Sequence, residues 1–225
     1  MKQVLSLLLV CLSLGQHGLT GLVDQTSLGG NLYLVNRTFR LTEHYVPADL
    51  EKPNVKATNG EILMRREAAR ALEALFMSAS KDGHTLVAVS GFRSYGTQRA
   101  IYQRKITNSG KRMAALLVAP AGASEHQLGL AMDVGRHSSA GLNASFGKSR
   151  EGQWVAEHAH QFGFIIRYKA EWTEITGYAD EPWHLRYVGV DHATEIVRRN
   201  IPLERYIEEL ATRNHGGLLT NVPES

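Results

Sequence analysis

His126 and Asp133 stand seven residues apart in the stretch Ser124-Glu125-His126-Gln127-Leu128-Gly129-Leu130-Ala131-Met132-Asp133-Val134. The run Leu130-Ala131-Met132-Asp133-Val134 reads as a short buried strand, so Asp133 sets an acid among apolar neighbours. A carboxylate there costs several kcal/mol unless something positive meets it. A metal ion meets that need and also accounts for the nearby histidine. A second stretch, Asp180-Glu181-Pro182-Trp183-His184-Leu185-Arg186-Tyr187-Val188-Gly189, supplies His184, with Glu181 three residues before it. Two imidazoles and one carboxylate form a three-ligand set that suits zinc and leaves a fourth position for water. Glu181 is then free to act as the base for that water. The single cysteine, Cys11, rules out a disulfide framework and a cysteine zinc site, so any metal must be held by His, Asp or Glu. Nothing offers the sulfur that copper(I) prefers. One zinc per chain is expected, on His126, Asp133 and His184.

Each feature has a plainer alternative. A histidine and an acid at this spacing are more often a core histidine and a strand-end turn residue; it is their occurrence with other motifs that reverses the balance. Glu181 could be an exposed loop acid. On a regular strand residues three apart face opposite sides, which would part Glu181 from His184. Pro182 prevents regular pairing, so a loop is expected to curl Glu181 back over the metal. Arg93, in a glycine-bounded turn from Gly91 to Gly96, would ordinarily be a surface charge. Trp183 fits a pocket wall and a plain core position equally. His137, His158 and His160 fit no ligand spacing and read as surface residues. His158 and His160 are two apart on an expected helix and share no face.

The pattern SxHxxGxAxD followed by ExxH, here Glu181-Pro182-Trp183-His184, resembles the zinc D-Ala-D-Ala carboxypeptidases of the VanY type. Those belong to a fold group with the lysostaphin-like peptidases and the hedgehog signalling domain. A third segment, Val89-Ser90-Gly91-Phe92-Arg93-Ser94-Tyr95-Gly96-Thr97-Gln98, is similar to the family's strand ending in (Y/F)RS followed by Tyr and Gln. The resemblance runs from about Leu32 to about Leu210. It implies that Arg93 stabilises the oxyanion of a tetrahedral intermediate. It also implies that Gln98 and Ser124 hydrogen-bond the substrate backbone or its terminal carboxylate, and that Tyr95 and Trp183 line the pocket. The implied reaction is zinc-dependent D,D-carboxypeptidase hydrolysis, releasing the C-terminal D-Ala of peptidoglycan stem peptides. Glu181 would take the water proton and pass it to the leaving amine. L,D-carboxypeptidase, D,D-dipeptidase and cross-bridge endopeptidase activities remain open alternatives, as does a non-catalytic hedgehog-like zinc binding module.

The elements that must position these residues can be read from periodicity. The chain has 225 residues, of which 43% are hydrophobic and 21% charged, which describes a globular protein with one domain of ordinary size. The net charge of +3 is scattered, without the Lys/Arg runs of a nucleic-acid binder. A mildly basic surface suits an anionic wall polymer, although solubility alone explains it. After Lys2, the apolar run Val4–Leu14 is too short to span a bilayer, which needs ~20 residues, and fits a signal-peptide core. Residues 1–25 therefore read as leader and linker, 32–213 as the zinc carboxypeptidase domain and 214–225 as a loose tail. Export to an extracytoplasmic, cell-wall location and a monomeric state without a membrane span are the corresponding expectations.

Strands are predicted at Leu32–Asn36, Thr85–Ser90, Phe164–Tyr168 and Pro182–Val188, beside the metal-bearing strand. Helices are predicted at Glu61–Ala79, Thr97–Ile106, Arg112–Leu117, Glu151–Phe162, Asp191–Arg199 with Asp191 as cap, and Leu203–Leu210 opened by Pro202. Helices and strands segregate into blocks without a steady βαβ rhythm. The class is therefore α+β, a small and mainly antiparallel sheet flanked by helices, in the manner of hedgehog and D-Ala-D-Ala peptidases.

Overall fold

The computed structural model describes residues 30–58, 61–136 and 142–216. The expected leader and His137 lie outside the described residues. A compact unit runs from Val35 onward and carries all the elements named below. The expected strand at Leu32–Asn36 is not one; these residues form turn and irregular backbone.

A two-stranded antiparallel ribbon, β1 (Leu50–Glu51) with β2 (Met64–Arg65), leads into α1 (Arg66–Lys81). Ala68, Ala69, Leu72, Leu75, Phe76 and Ala79 recur at helical spacing and are buried, so α1 presents one apolar face to the core. The helix begins later than its periodicity predicts, because Met64 and Arg65 are taken by the ribbon. Then follow β3 (Val87–Ser90), α2 (Tyr95–Leu117), β4 (Ala131–Gly135), α3 (Arg150–His158), β5 (Phe164–Tyr168), the one-turn α4 (Thr173–Thr176), β6 (Glu181–Tyr187), α5 (Val190–Arg199) and α6 (Leu203–Gly216). The two helical pieces predicted within α2 are joined into one element, kinked at Gly110 (φ 77°). Asp191 lies in the first turn of α5, whose cap position is Gly189, and α6 continues past Leu210.

The main sheet has the order β3-β4-β6-β5, and every neighbouring pair is antiparallel. This is the α+β class that the blocks of helix and strand imply. All five residues of β4 are buried, which explains why Ala131-Met132-Asp133-Val134 reads as an apolar run and not as an alternation. Cross-strand pairing sets Asp133 of β4 directly opposite His184 of β6. Opposed residues in an antiparallel pair have Cβ atoms about 4.5–5.5 Å apart, so this register brings two groups 51 residues apart in sequence to one spot.

His126 lies on a 3-10 turn, Glu125–Leu128, just before β4. Two glycines fix that turn in place. Gly129 closes it in the left-handed region (φ 70°), which residues with a Cβ adopt at a cost. Gly91, after β3, runs so close to the ribbon that a Cβ would stand 2.4 Å from the Leu63 carbonyl oxygen and 2.8 Å from Ile62 Cγ2. Its own carbonyl accepts from His126 Nδ1 at 2.7 Å. Gly91→Ala must therefore move backbone beside a candidate ligand. Overpacking of this kind costs about 1–3 kcal/mol. A melting curve should show Tm lowered by about 2–4 °C per kcal/mol for a domain of this size, and an unchanged Tm would show that the ribbon yields freely.

Candidate active site

The site grows from the β4–β6 register. His184 Nδ1 lies 3.1 Å from Asp133 Oδ1, and His126 Nε2 lies 3.3 Å from Asp133 Oδ2. One atom from each of the three residues falls within 4.8 Å of the others, and all three side chains are buried. His126 Nε2 is buried without a hydrogen-bond partner, while the other ring nitrogen is committed to Gly91. Such a nitrogen, aimed at a carboxylate, fits a metal ligand. Burial, with Arg93 nearby, pushes the His126 imidazole down to about 4, toward the neutral form that binds a metal. Burial alone would lower His184 too. The Asp133 and Glu125 carboxylates on either side outweigh it and raise the imidazole to about 9. Burial opposes the Asp133 charge, but the two histidines hold its carboxyl well below the usual range. The cluster thus draws positive charge, and the donor set suits zinc.

Glu181 comes within 3.9 Å of His184 Nδ1 through its Oε2. The loop expected to carry it is instead the first residue of β6, paired with Tyr168. The register between β5 and β6 shifts between Ile166 and Tyr168. Such an irregularity re-aims side chains and lets residues three apart reach one side. Burial pushes the Glu181 carboxyl up to about 7, a value suited to a group that accepts and returns a proton.

Arg93 follows β3 and its backbone N–H donates to the His126 carbonyl at 3.2 Å. The side chain is not a fully exposed surface charge: it is half-buried in the cleft wall, and burial lowers its guanidinium from the ordinary value while Asp133 and Glu181 oppose the shift. Its Nε is buried without a hydrogen-bond partner.

A cleft of about 300 Å³ opens over these groups. Gln98, Ser124 and Trp183 line it, together with Tyr168 and Tyr178. Gln98 is buried on α2 and donates to the Ala119 carbonyl at 2.6 Å, while its Oε1 has no hydrogen-bond partner. Trp183 is half-buried in the cleft wall. Tyr95 is not among the residues lining the cleft; it is half-buried at the start of α2, near Gly122. His158 stacks on Trp154 with centroids 4.6 Å apart, away from the cleft, and His160 likewise lies outside it.

Sequence reasoning missed Tyr168, Tyr178 and Glu125. The Tyr168 ring lies 5.0 Å from that of His184 and 4.9 Å from that of Tyr178. Arg37 sits over Tyr178 at 4.6 Å and donates to the Gly177 and Ala115 carbonyls, bracing that wall. Glu125 sits wholly buried between two cleft-motif residues. Its signal was the pair of arginines, Arg167 and Arg186, each standing inside an apolar strand where a charge requires a buried partner.

Comparison with known proteins places this arrangement. Residues 61–190 match the family model for VanY, D-alanyl-D-alanine carboxypeptidase. The YodJ protein of Bacillus subtilis (strain 168) is 44% identical over 184 residues, covering 80% of this chain and 67% of that one. The D-alanyl-D-alanine carboxypeptidase of Enterococcus faecium is 33% identical over 190 residues, and the match spans 80% of this chain and 58% of that protein. Among solved structures, the LdcB LD-carboxypeptidase superposes with a TM-score of 0.73 at 44% identity, covering 78% of this chain and 84% of that chain. The VanY D,D-pentapeptidase of a VanB-type resistance cassette, solved as a variant with Zn(II), gives 0.68 at 34% identity, with 79% and 98% covered. Fold and likeness together define a member of a carboxypeptidase family of the hedgehog-like peptidase fold. The chain belongs to the VanY family of D-alanyl-D-alanine carboxypeptidases.

Proposed function

We propose that this protein is a zinc-dependent D,D-carboxypeptidase that hydrolyses the C-terminal D-Ala of peptidoglycan stem peptides. The observation that carries the reading is the convergence of His126, Asp133 and His184 beside Glu181 and Arg93. His126, Asp133 and His184 would hold a zinc ion, which when bound would supply Lewis-acid activation of a water and of the scissile carbonyl. Glu181 accepts the proton of the attacking water and hands it to the leaving amine. Arg93 turns its guanidinium to the oxygen on which charge develops. Gln98 and Ser124 hold the substrate backbone or its terminal carboxylate, and Trp183 packs on the stem. An extracytoplasmic location follows from such a substrate, and among the described residues no helix is long and apolar enough to cross a membrane.

A second reading, L,D-carboxypeptidase action on tetrapeptide stems, is favoured by one observation: the LdcB likeness stands at 44% identity, against 34% for the VanY D,D-pentapeptidase. Incubation with tri-, tetra- and pentapeptide stems, followed by mass spectrometry, separates the readings. Pentapeptide losing one D-Ala is the expected product; tetrapeptide trimmed to tripeptide makes the enzyme L,D-specific; release of the dipeptide makes it a dipeptidase. No release from any stem by protein that binds zinc stoichiometrically would leave a hedgehog-like binding module as the better account.

Arg93→Ala should keep its zinc and lose about 10²- to 10³-fold in kcat, the contribution of one oxyanion donor. An effect confined to KM would move Arg93 from the transition state to ground-state binding.

A further inference from the structure

Behind the ligands lies a cluster of charges that the reaction itself does not use. Glu125, Arg167 and Arg186 have side chains with no exposure at all. Arg167 Nε and Arg186 Nη1 both donate to Glu125 Oε1 at 2.7 Å. Arg167 turns its two terminal nitrogens to Glu204 of α6, at 2.9 and 2.5 Å. The other oxygen, Glu125 Oε2, lies 3.4 Å from His184 Nε2. A buried ion cluster is weak evidence for stability, since apolar replacements often serve as well. Its position is more informative than its energy.

The two ring nitrogens of His184 have separate tasks. Nδ1 faces Asp133 and the other candidate ligands; Nε2 faces Glu125. We infer that Glu125 is a positioning residue: by accepting from His184 Nε2–H it fixes the ring so that Nδ1 is presented to the metal, with Arg167 and Arg186 clamping the carboxylate in place. The inference rests on the metal-site reading above. His126 is fixed in the complementary sense, with Nδ1 on the Gly91 carbonyl and Nε2 facing Asp133. An outer carboxylate of this kind holds the tautomer and raises the basicity of a ligating imidazole, and its loss costs about 10- to 100-fold in metal affinity. An amide cannot substitute. Glu125 offers two acceptor oxygens to three donors, whereas a glutamine has one acceptor oxygen and would turn N–H groups toward either the guanidiniums or the imidazole.

The test is zinc affinity, measured on the purified full chain by competition with a chelator. Glu125→Gln should weaken zinc binding about 10- to 100-fold. Glu204→Gln removes the charge and one of the two acceptor oxygens that Arg167 meets on that side, without touching His184; it should leave zinc affinity within about threefold while lowering the Tm of the metal-free protein. Equal affinity in Glu125→Gln and the parent would overturn the inference, and so would equal loss in both variants, which would make the cluster structural only. A parent that binds no zinc would instead refute the metal-site reading beneath it. Should Glu125→Gln not fold, the parent decides: ¹⁵N-histidine NMR of the zinc-loaded protein is expected to find His184 protonated at Nε2 and His126 at Nδ1. His184 carrying its proton on Nδ1 would sink the assignment.

Discussion

Glu181→Gln is expected to lose stem-peptide hydrolysis by about 10²- to 10⁴-fold, toward the upper end, while keeping its zinc. The substitution preserves size and shape but removes the proton acceptor. Among the described side chains near His184, Asp133 is engaged by both histidines and Glu125 by two arginines. That leaves Glu181 as the candidate base, and burial raises its carboxyl to about 7. The loss should fall on kcat, because proton transfer matters only as the transition state forms. Kinetics on a stem peptide, with metal analysis of the same preparation, checks both halves. If the variant lost its metal, Glu181 would be a ligand and the part assigned to Asp133 would need revision. Full activity with full metal would remove Glu181 from the mechanism.

His184→Ala should lose most of the zinc and, with it, the activity. Removing one ligand of three must cost more than the roughly 10- to 100-fold expected for an outer partner. It also leaves the Asp133 and Glu125 carboxylates without the imidazole between them, at distances of 3.1 and 3.4 Å in the parent. Stability gives a second readout. A ligand that binds only the folded state stabilises it by about 2.7 kcal/mol at a hundredfold excess over Kd. Parent protein should therefore melt higher with added zinc, and the variant should show little of that shift. Unchanged zinc content in His184→Ala would remove His184 from the site.

Much of this was legible locally. His126 and Asp133 belong to one short motif, and their spacing survives folding because a single turn and a single strand connect them. The apolar run around Asp133 announced a buried acid. The amphipathic face of α1 and the strand Phe164–Tyr168 were equally plain, since each is decided within a dozen residues. Element ends were less so: Met64 and Arg65 have helical neighbours but pair with β1, a partner periodicity does not reveal.

By itself the sequence determined the candidate ligand set, the exclusion of cysteine chemistry, the α+β class and, by its resemblance, the family. The tertiary structure decided which groups meet. The Asp133–His184 register joins residues 51 apart, and strand pairing over that distance depends on the whole sheet. The irregular β5–β6 pairing, not a loop, brings Glu181 toward His184, because Pro182 is accommodated where the ladder shifts. Glu125 carries no local mark of a role in the sequence. Only the fold carries Arg167 and Arg186, 42 and 61 residues further on, onto its carboxylate and sets His184 against it. Charge burial is a property of three-dimensional neighbours, and no local pattern around Glu125 encodes it.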